Sequence, residues 1–148
     1  MSKYFVILLI GFAIPRCKTS NETLSKTYKN NIPIVQFCDL PNYKGKQVYL
    51  KCLYSGIDEY WSLKDIARRK CKPALSIDLQ FVGYNPFLPP EKYRKVFTEV
   101  GNNYHNSYLL LEAIGIFEKD SSNRYGHLGS NNSRFIVSEL ISATLHAK

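Results

Sequence analysis

The segment "ALSIDLQFV", Ala74 to Val82, alternates apolar and polar side chains over most of its length. Leu75, Ile77, Leu79 and Phe81 fall on one side of an extended chain, and Ser76, Asp78 and Gln80 fall on the other. A helix would scatter the same residues around its circumference. The segment therefore predicts a strand with one core face and one wet face, and a strand of that kind needs neighbours. Upstream, "PIVQFCDLPNYKGKQVYLKCLY" supplies a short apolar stretch beginning near Ile32, a break at Pro41 and Asn42, a turn at Gly45 and the run Val48 to Tyr54. In that run Val48, Leu50, Cys52 and Tyr54 share a face. A turn over Ser55 to Asp58 leads to a second short strand, Glu59 to Leu63.

Downstream, "PPEKYRKVFTEVG" has proline in front, glycine at its end and charges spaced between, which is the punctuation of a short helix. Its buried stripe is Tyr93, Val96, Phe97 and Val100. Tyr104 to Phe117 is too rich in leucine and isoleucine to lie exposed, and Gly115 within it predicts a bulge or a close approach of neighbouring backbone. Glu118 to Asn132 reads as a long turn and Ser133 to Ser142 as the last strand. The chain is thus expected to be mainly β: a five-stranded OB-like Greek-key barrel with one helix between strands 3 and 4. An α+β sheet domain is the alternative, and the position of the helix favours the barrel.

The N-terminus begins with Lys3 and an apolar run from Tyr4 to Ile14, too short to span a bilayer as a helix, which predicts a signal peptide over residues 1–17. Cys17 offers a lipid-anchor position and so a route to a membrane, although Arg16 stands where lipoprotein processing wants a small residue. Residues 18–31 are polar and aperiodic, as in a flexible tether, and 32–148 form the domain. Removing 1–17 takes two cations and no acid, so the net charge falls from +8 to +6. That suits anionic surfaces, yet the basic residues are scattered apart from "ARRKCK", Ala67 to Lys72.

"CDLPNYKGKQVYLKCLY", the later "RKC" and "YGHLGSNNSRFIV" together resemble a group of small uncharacterised bacterial exported proteins with an OB-like barrel. In that group a cysteine and a Y-x-G-K-x-V turn open the first barrel strand, and a G-H-L-G turn opens the last. The likeness covers Val35 to Ile141 and implies a fold rather than a chemistry. It also retains Cys38 and Cys71, which makes them the implied disulfide of an exported chain. Cys52 to Cys71 is the competing bridge, and Cys52 otherwise serves as a small buried hydrophobe.

Nucleophile-elbow, P-loop, H-E-x-x-H and paired C-x-x-C motifs are all missing from the sequence, and nothing in it calls for a cofactor. His127 could act as a general base with Asp58, Asp78 or Glu112, as in a small hydrolase. The simpler reading makes it the corner of a turn: Gly126 and Gly129 supply positive φ, Leu128 plugs the barrel end and His127 bonds nearby carbonyls. His105 and His146 lack ligand partners at metal spacing. A zinc site from Cys38, Cys52, Cys71 and His127 is the weaker alternative to a disulfide, so no metal is expected.

Binding across the strand face would use Tyr60, Trp61, Arg68, Arg69, Gln80 and His127, with Lys70 in the same basic loop. A solvated loop and a packed Trp61 are the bland reading of the same residues. Partners in this view are an envelope protein or a glycan, and an exported location disfavours nucleic acid. Asn21 and Asn131 sit in N-x-S/T sequons. The expectation is a non-enzymatic, exported OB-like binding module; a His-dependent hydrolase and a nucleic-acid-binding domain are the alternatives.

Overall fold

The computed structural model describes residues 31–148 and the strand Tyr28–Lys29. The predicted signal peptide, with Cys17 and the sequon at Asn21, lies outside the described residues. Within the predicted tether, Tyr28–Lys29 is strand β1 and pairs with β2, Ile32–Val35. A 3₁₀ segment over Phe37–Tyr43 leads to β3, Gln47–Ile57, then β4, Tyr60–Lys64, and β5, Ile77–Phe81. Helix α1, Glu91–Asn102, precedes β6, Ser107–Glu118, and β7, Ser133–Ala147.

Hydrogen bonding closes β3-β4-β5-β7-β6 into a ring, because β3 pairs with both β4 and β6. All contacts around this five-stranded barrel are antiparallel except β5 with β7. The expected mainly β barrel is therefore present. Two strands run longer than the apolar pattern suggested: β3 continues to Ile57 and β7 to Ala147. The predicted third strand is shorter, beginning at Ile77.

The inward residues are those the alternation selects. Val48, Leu50, Cys52, Ile77, Leu79 and Phe81 are buried, with Phe117, Phe135 and Leu111 among the large side chains filling the interior. Full burial of each large aliphatic or aromatic side chain contributes about 1.5–3 kcal/mol. Helix α1 turns Tyr93, Val96, Phe97 and Val100 toward this core as its spacing predicts. At Gly115 the β6–β7 register shifts, and a Cβ there would meet the Ile136 carbonyl oxygen at 2.4 Å, which makes glycine necessary at that crossing. Cys52 is wholly buried, and burial alone pushes its thiol pKa up.

Two expectations fail. Asp78 and Gln80 do not face water: every residue of β5 is buried, since the long β6–β7 connection folds over the outer face of that strand. Leu128 does not plug the barrel; it is 82% exposed at the crest of that connection. Among the described residues no helix is long and apolar enough to cross a membrane.

Candidate functional site

Cys38 and Cys71 are joined by a disulfide, Cα to Cα 5.2 Å, as the family likeness implies. The bond ties the β4–β5 connection to the 3₁₀ segment and takes two of the four ligands that a zinc site would need. Among the described residues no group of three or more histidine, cysteine or acidic side chains is arranged to hold a metal ion.

Trp61 and His127 line one concavity, and Arg68 and Arg69 line a second. The first, of about 370 Å³, lies where three connections meet: Glu59 comes from the β3–β4 turn, Phe87 from the β5–α1 loop, and Gly126 and His127 from the β6–β7 connection. Trp61, at the start of β4, forms one wall. It can lie flat because Gly56 on β3 has no side chain: a Cβ there would stand 2.7 Å from the indole. The indole stacks on Tyr54 at 5.0 Å, and its Nε1–H donates to the Asp58 carbonyl at 2.6 Å. Phe97 of α1 backs Tyr54 at 5.6 Å. These contacts make Trp61 a packed wall that still borders the cleft.

His127 sits at the rim with its Nε2 3.0 Å from a Glu59 carboxylate oxygen and its ring edge-on to Tyr60 at 5.3 Å. Its expected carbonyl bonds are replaced by this pair. Side-chain exposures of 36% for His127 and 70% for Glu59 keep the pair in contact with water, where such contacts stabilise little. Of the carboxylates expected beside His127, only Asp78 shares its cleft. Asp58 accepts from the Tyr104 hydroxyl at 2.6 Å, and Glu112 is held on the barrel exterior by Lys51 at 3.1 Å and by the Tyr49 hydroxyl. Burial and the Glu112 contact push the Tyr49 hydroxyl up to about 12.

Asp78 forms the cleft floor. Burial raises its carboxyl pKa, against the lowering effect of donors that include Gln80 and the Gly126 amide. Gln80 donates to Asp78 at 2.8 Å and accepts from Arg134 at 3.3 Å, and Arg134 pairs with Glu118 at 2.7 Å. Gln80 is therefore a buried link between Asp78 and Arg134. Behind the rim, the buried Asn131 side chain donates to the Trp61 carbonyl at 3.1 Å and accepts from the Ser76 hydroxyl at 2.5 Å, so its sequon is closed to glycan in the folded domain. His105 packs on Tyr104, and His146 contacts Thr144 and Tyr108.

Arg68 and Arg69 lie instead on a larger groove beside the β4–β5 connection, which shares no lining residue with the cleft. Arg69 is committed to structure. It donates to both Asp65 oxygens at 2.7 and 3.1 Å and to Gln36 at 2.7 Å. Those bonds hold the Asp65 carboxyl below its ordinary pKa. Tyr60, Trp61 and His127 are thus brought together, Arg68 and Arg69 stand elsewhere, and Gln80 is internal. Sequence reasoning missed Glu59, whose only signal was its place beside the turn, and Gly56, whose signal was a glycine inside a strand.

Compared with known proteins, the chain matches no family model, no curated protein and no solved structure.

Proposed function

We propose that this is an exported, OB-like, non-enzymatic module that docks a partner protein where its three connections meet. The OB-like assignment is supported by the ring order β3-β4-β5-β7-β6 and by a helix falling between its third and fourth strands in the chain. The disulfide is consistent with an oxidising compartment.

One observation carries the docking reading. Seven of the ten large apolar side chains left exposed among the described residues lie on or beside the three connections that meet here: Ile57 and Tyr60 flank the β3–β4 turn, Val82, Tyr84, Phe87 and Leu88 belong to the β5–α1 loop, and Leu128 follows His127, with Phe87 itself lining the cleft. Exposed apolar residues scattered singly need no explanation, but a cluster on one rim marks an interaction surface. Two carboxylates, Glu59 and Asp78, border the same cleft and disfavour a phosphate backbone there.

Site-specific photocrosslinking tests the proposal. A photoreactive side chain at position 87 or 128 should trap the same protein in envelope material of the native host, and one at position 95, on the outer face of α1, should not. Equal labelling from all three positions, or none from 87 and 128, rejects it. The second reading, a hydrolase, is favoured by the Glu59 carboxylate beside His127, which would orient an imidazole base. It requires turnover that His127→Ala abolishes and that Lys95→Gln, on the outer face of α1, leaves intact.

A further inference from the structure

The second groove has a cavity volume of about 1050 Å³, at the upper end of the size that takes small organic ligands, about 300–1,000 Å³. Its floor is apolar. Leu53 and Leu63 come from the β3–β4 ladder, Phe37 from the 3₁₀ segment, Leu75 from the end of the connection and Tyr108 from β6. Its rim is cationic: Lys64 ends β4, and Arg68, Lys70 and Lys72 follow along the connection. The one side-chain carboxylate in the lining, Asp65, is already taken by Arg69. Among the described residues, no carboxylate forms an ion pair with Lys64, Arg68, Lys70 or Lys72. Burial, and then the nearby Lys148, hold the Lys64 ammonium below its ordinary pKa, as expected for a cation lacking an anion.

The connection does not depend on a ligand to hold it. The Cys38–Cys71 bond and the Arg69 bridge from Asp65 to Gln36 fix it against the segment preceding β3, so the groove is formed in advance. Apolar floor and charged rim are segregated, which matches a molecule with one anionic head and one apolar tail. A nucleic acid would want stacking rings along its track, and of the two rings in the lining Phe37 is buried in the core, which leaves Tyr108. The chain's own N-terminal apolar run is flanked by Lys3, Arg16 and Lys18 and carries the wrong charge.

We propose that this groove binds a single-chain anionic amphiphile, with its acyl tail along Leu53 and Leu63 and its carboxylate among Lys64, Arg68, Lys70 and Lys72. Amide-resolved NMR titration of the full chain with dodecanoate, below its micelle threshold, tests this. Saturable shifts are expected at Leu53, Leu63 and Tyr108, with little change at Phe87 and His127, so the outcome is independent of partner docking at the first cleft. The triple variant Lys64→Gln/Arg68→Gln/Lys70→Gln should keep the folded spectrum and bind about tenfold more weakly or worse, as loss of charge-assisted contacts requires. Dodecyltrimethylammonium, with the same tail and opposite charge, should not compete. Equal binding of that cation, unchanged affinity in the triple variant, or displacement of dodecanoate by a short oligoglutamate or oligothymidylate would overturn the proposal.

Discussion

Replacing Gly126 by alanine tests how the β6–β7 connection is held to the barrel. Gly126 has φ +72° and ψ −173°, a region open almost only to glycine, where an L side chain costs about 1–3 kcal/mol. A Cβ would also stand 2.4 Å from the Asn131 side-chain nitrogen. Asn131 cannot yield without losing its bonds to the Trp61 carbonyl and the Ser76 hydroxyl, and it is 2% exposed, so water does not replace them. Stranding a buried amide adds about 1–3 kcal/mol, for a total of roughly 2–6 kcal/mol. Gly129 has φ +69°, and a Cβ there would stand 2.9 Å from the Arg124 Cβ, which only a shift of the exposed loop backbone can relieve; no buried polar group is stranded, so the cost is set by that shift and by about 1–2 kcal/mol of backbone strain. His127→Ala removes a solvent-exposed pair and should cost no more than about 1 kcal/mol. Urea denaturation followed by circular dichroism should therefore rank Gly126→Ala above Gly129→Ala above His127→Ala. In an Asn131→Ala background the Gly126 substitution should cost only its backbone strain, a coupling of about 0.5–3 kcal/mol. A Gly126→Ala protein within about 1 kcal/mol of the parent, or additive double variants, would refute the reasoning.

Two further outcomes follow from the same structure. Cys38→Ala/Cys71→Ala releases a cross-link spanning 33 residues and should lower stability by about 3–4 kcal/mol on the chain-entropy model, read as a reduced denaturation midpoint; an unchanged midpoint contradicts it. Asp78 has its folded pKa raised by burial above 3.8, so its contribution to stability is fully present below the unfolded value and is lost as pH rises through the folded one. Asp78→Asn should remove that decline, and parallel stability–pH curves for parent and variant would exclude it.

Period-two patterning identified the inward side of β3 and β5 because one barrel face is always dry. It misjudged Asp78 and Gln80 because the outer face of β5 is covered by a connection more than forty residues further along the chain, which a local pattern cannot contain. Gly126 and Gly129 were legible because positive φ leaves a residue-type signature. Leu128 was not, because a leucine between two glycines looks the same whether it points inward or outward. The pairing of Cys38 with Cys71 came from likeness rather than spacing. Glu59 beside His127 joins two loops that only the closed ring brings together, so no spacing announces it.

Closure of the ring also governs how this chain must fold. Within the ring the β3–β4, β4–β5 and β6–β7 pairings join successive strands; β3 meets β6 through pairs such as Lys51 with Glu112, and β5 meets β7 through pairs such as Ile77 with Ser133. Pairings over such separations place small β domains in the millisecond-to-second range, because loop entropy is lost before the contacts that offset it form. While the ring is open, the edges of the β3-β4-β5 meander and of the β6–β7 hairpin are unpaired, and each can pair with another chain before it finds its own partner. Refolding yield should then fall with protein concentration, set by the lifetime of the open ring and not by the stability of the closed one.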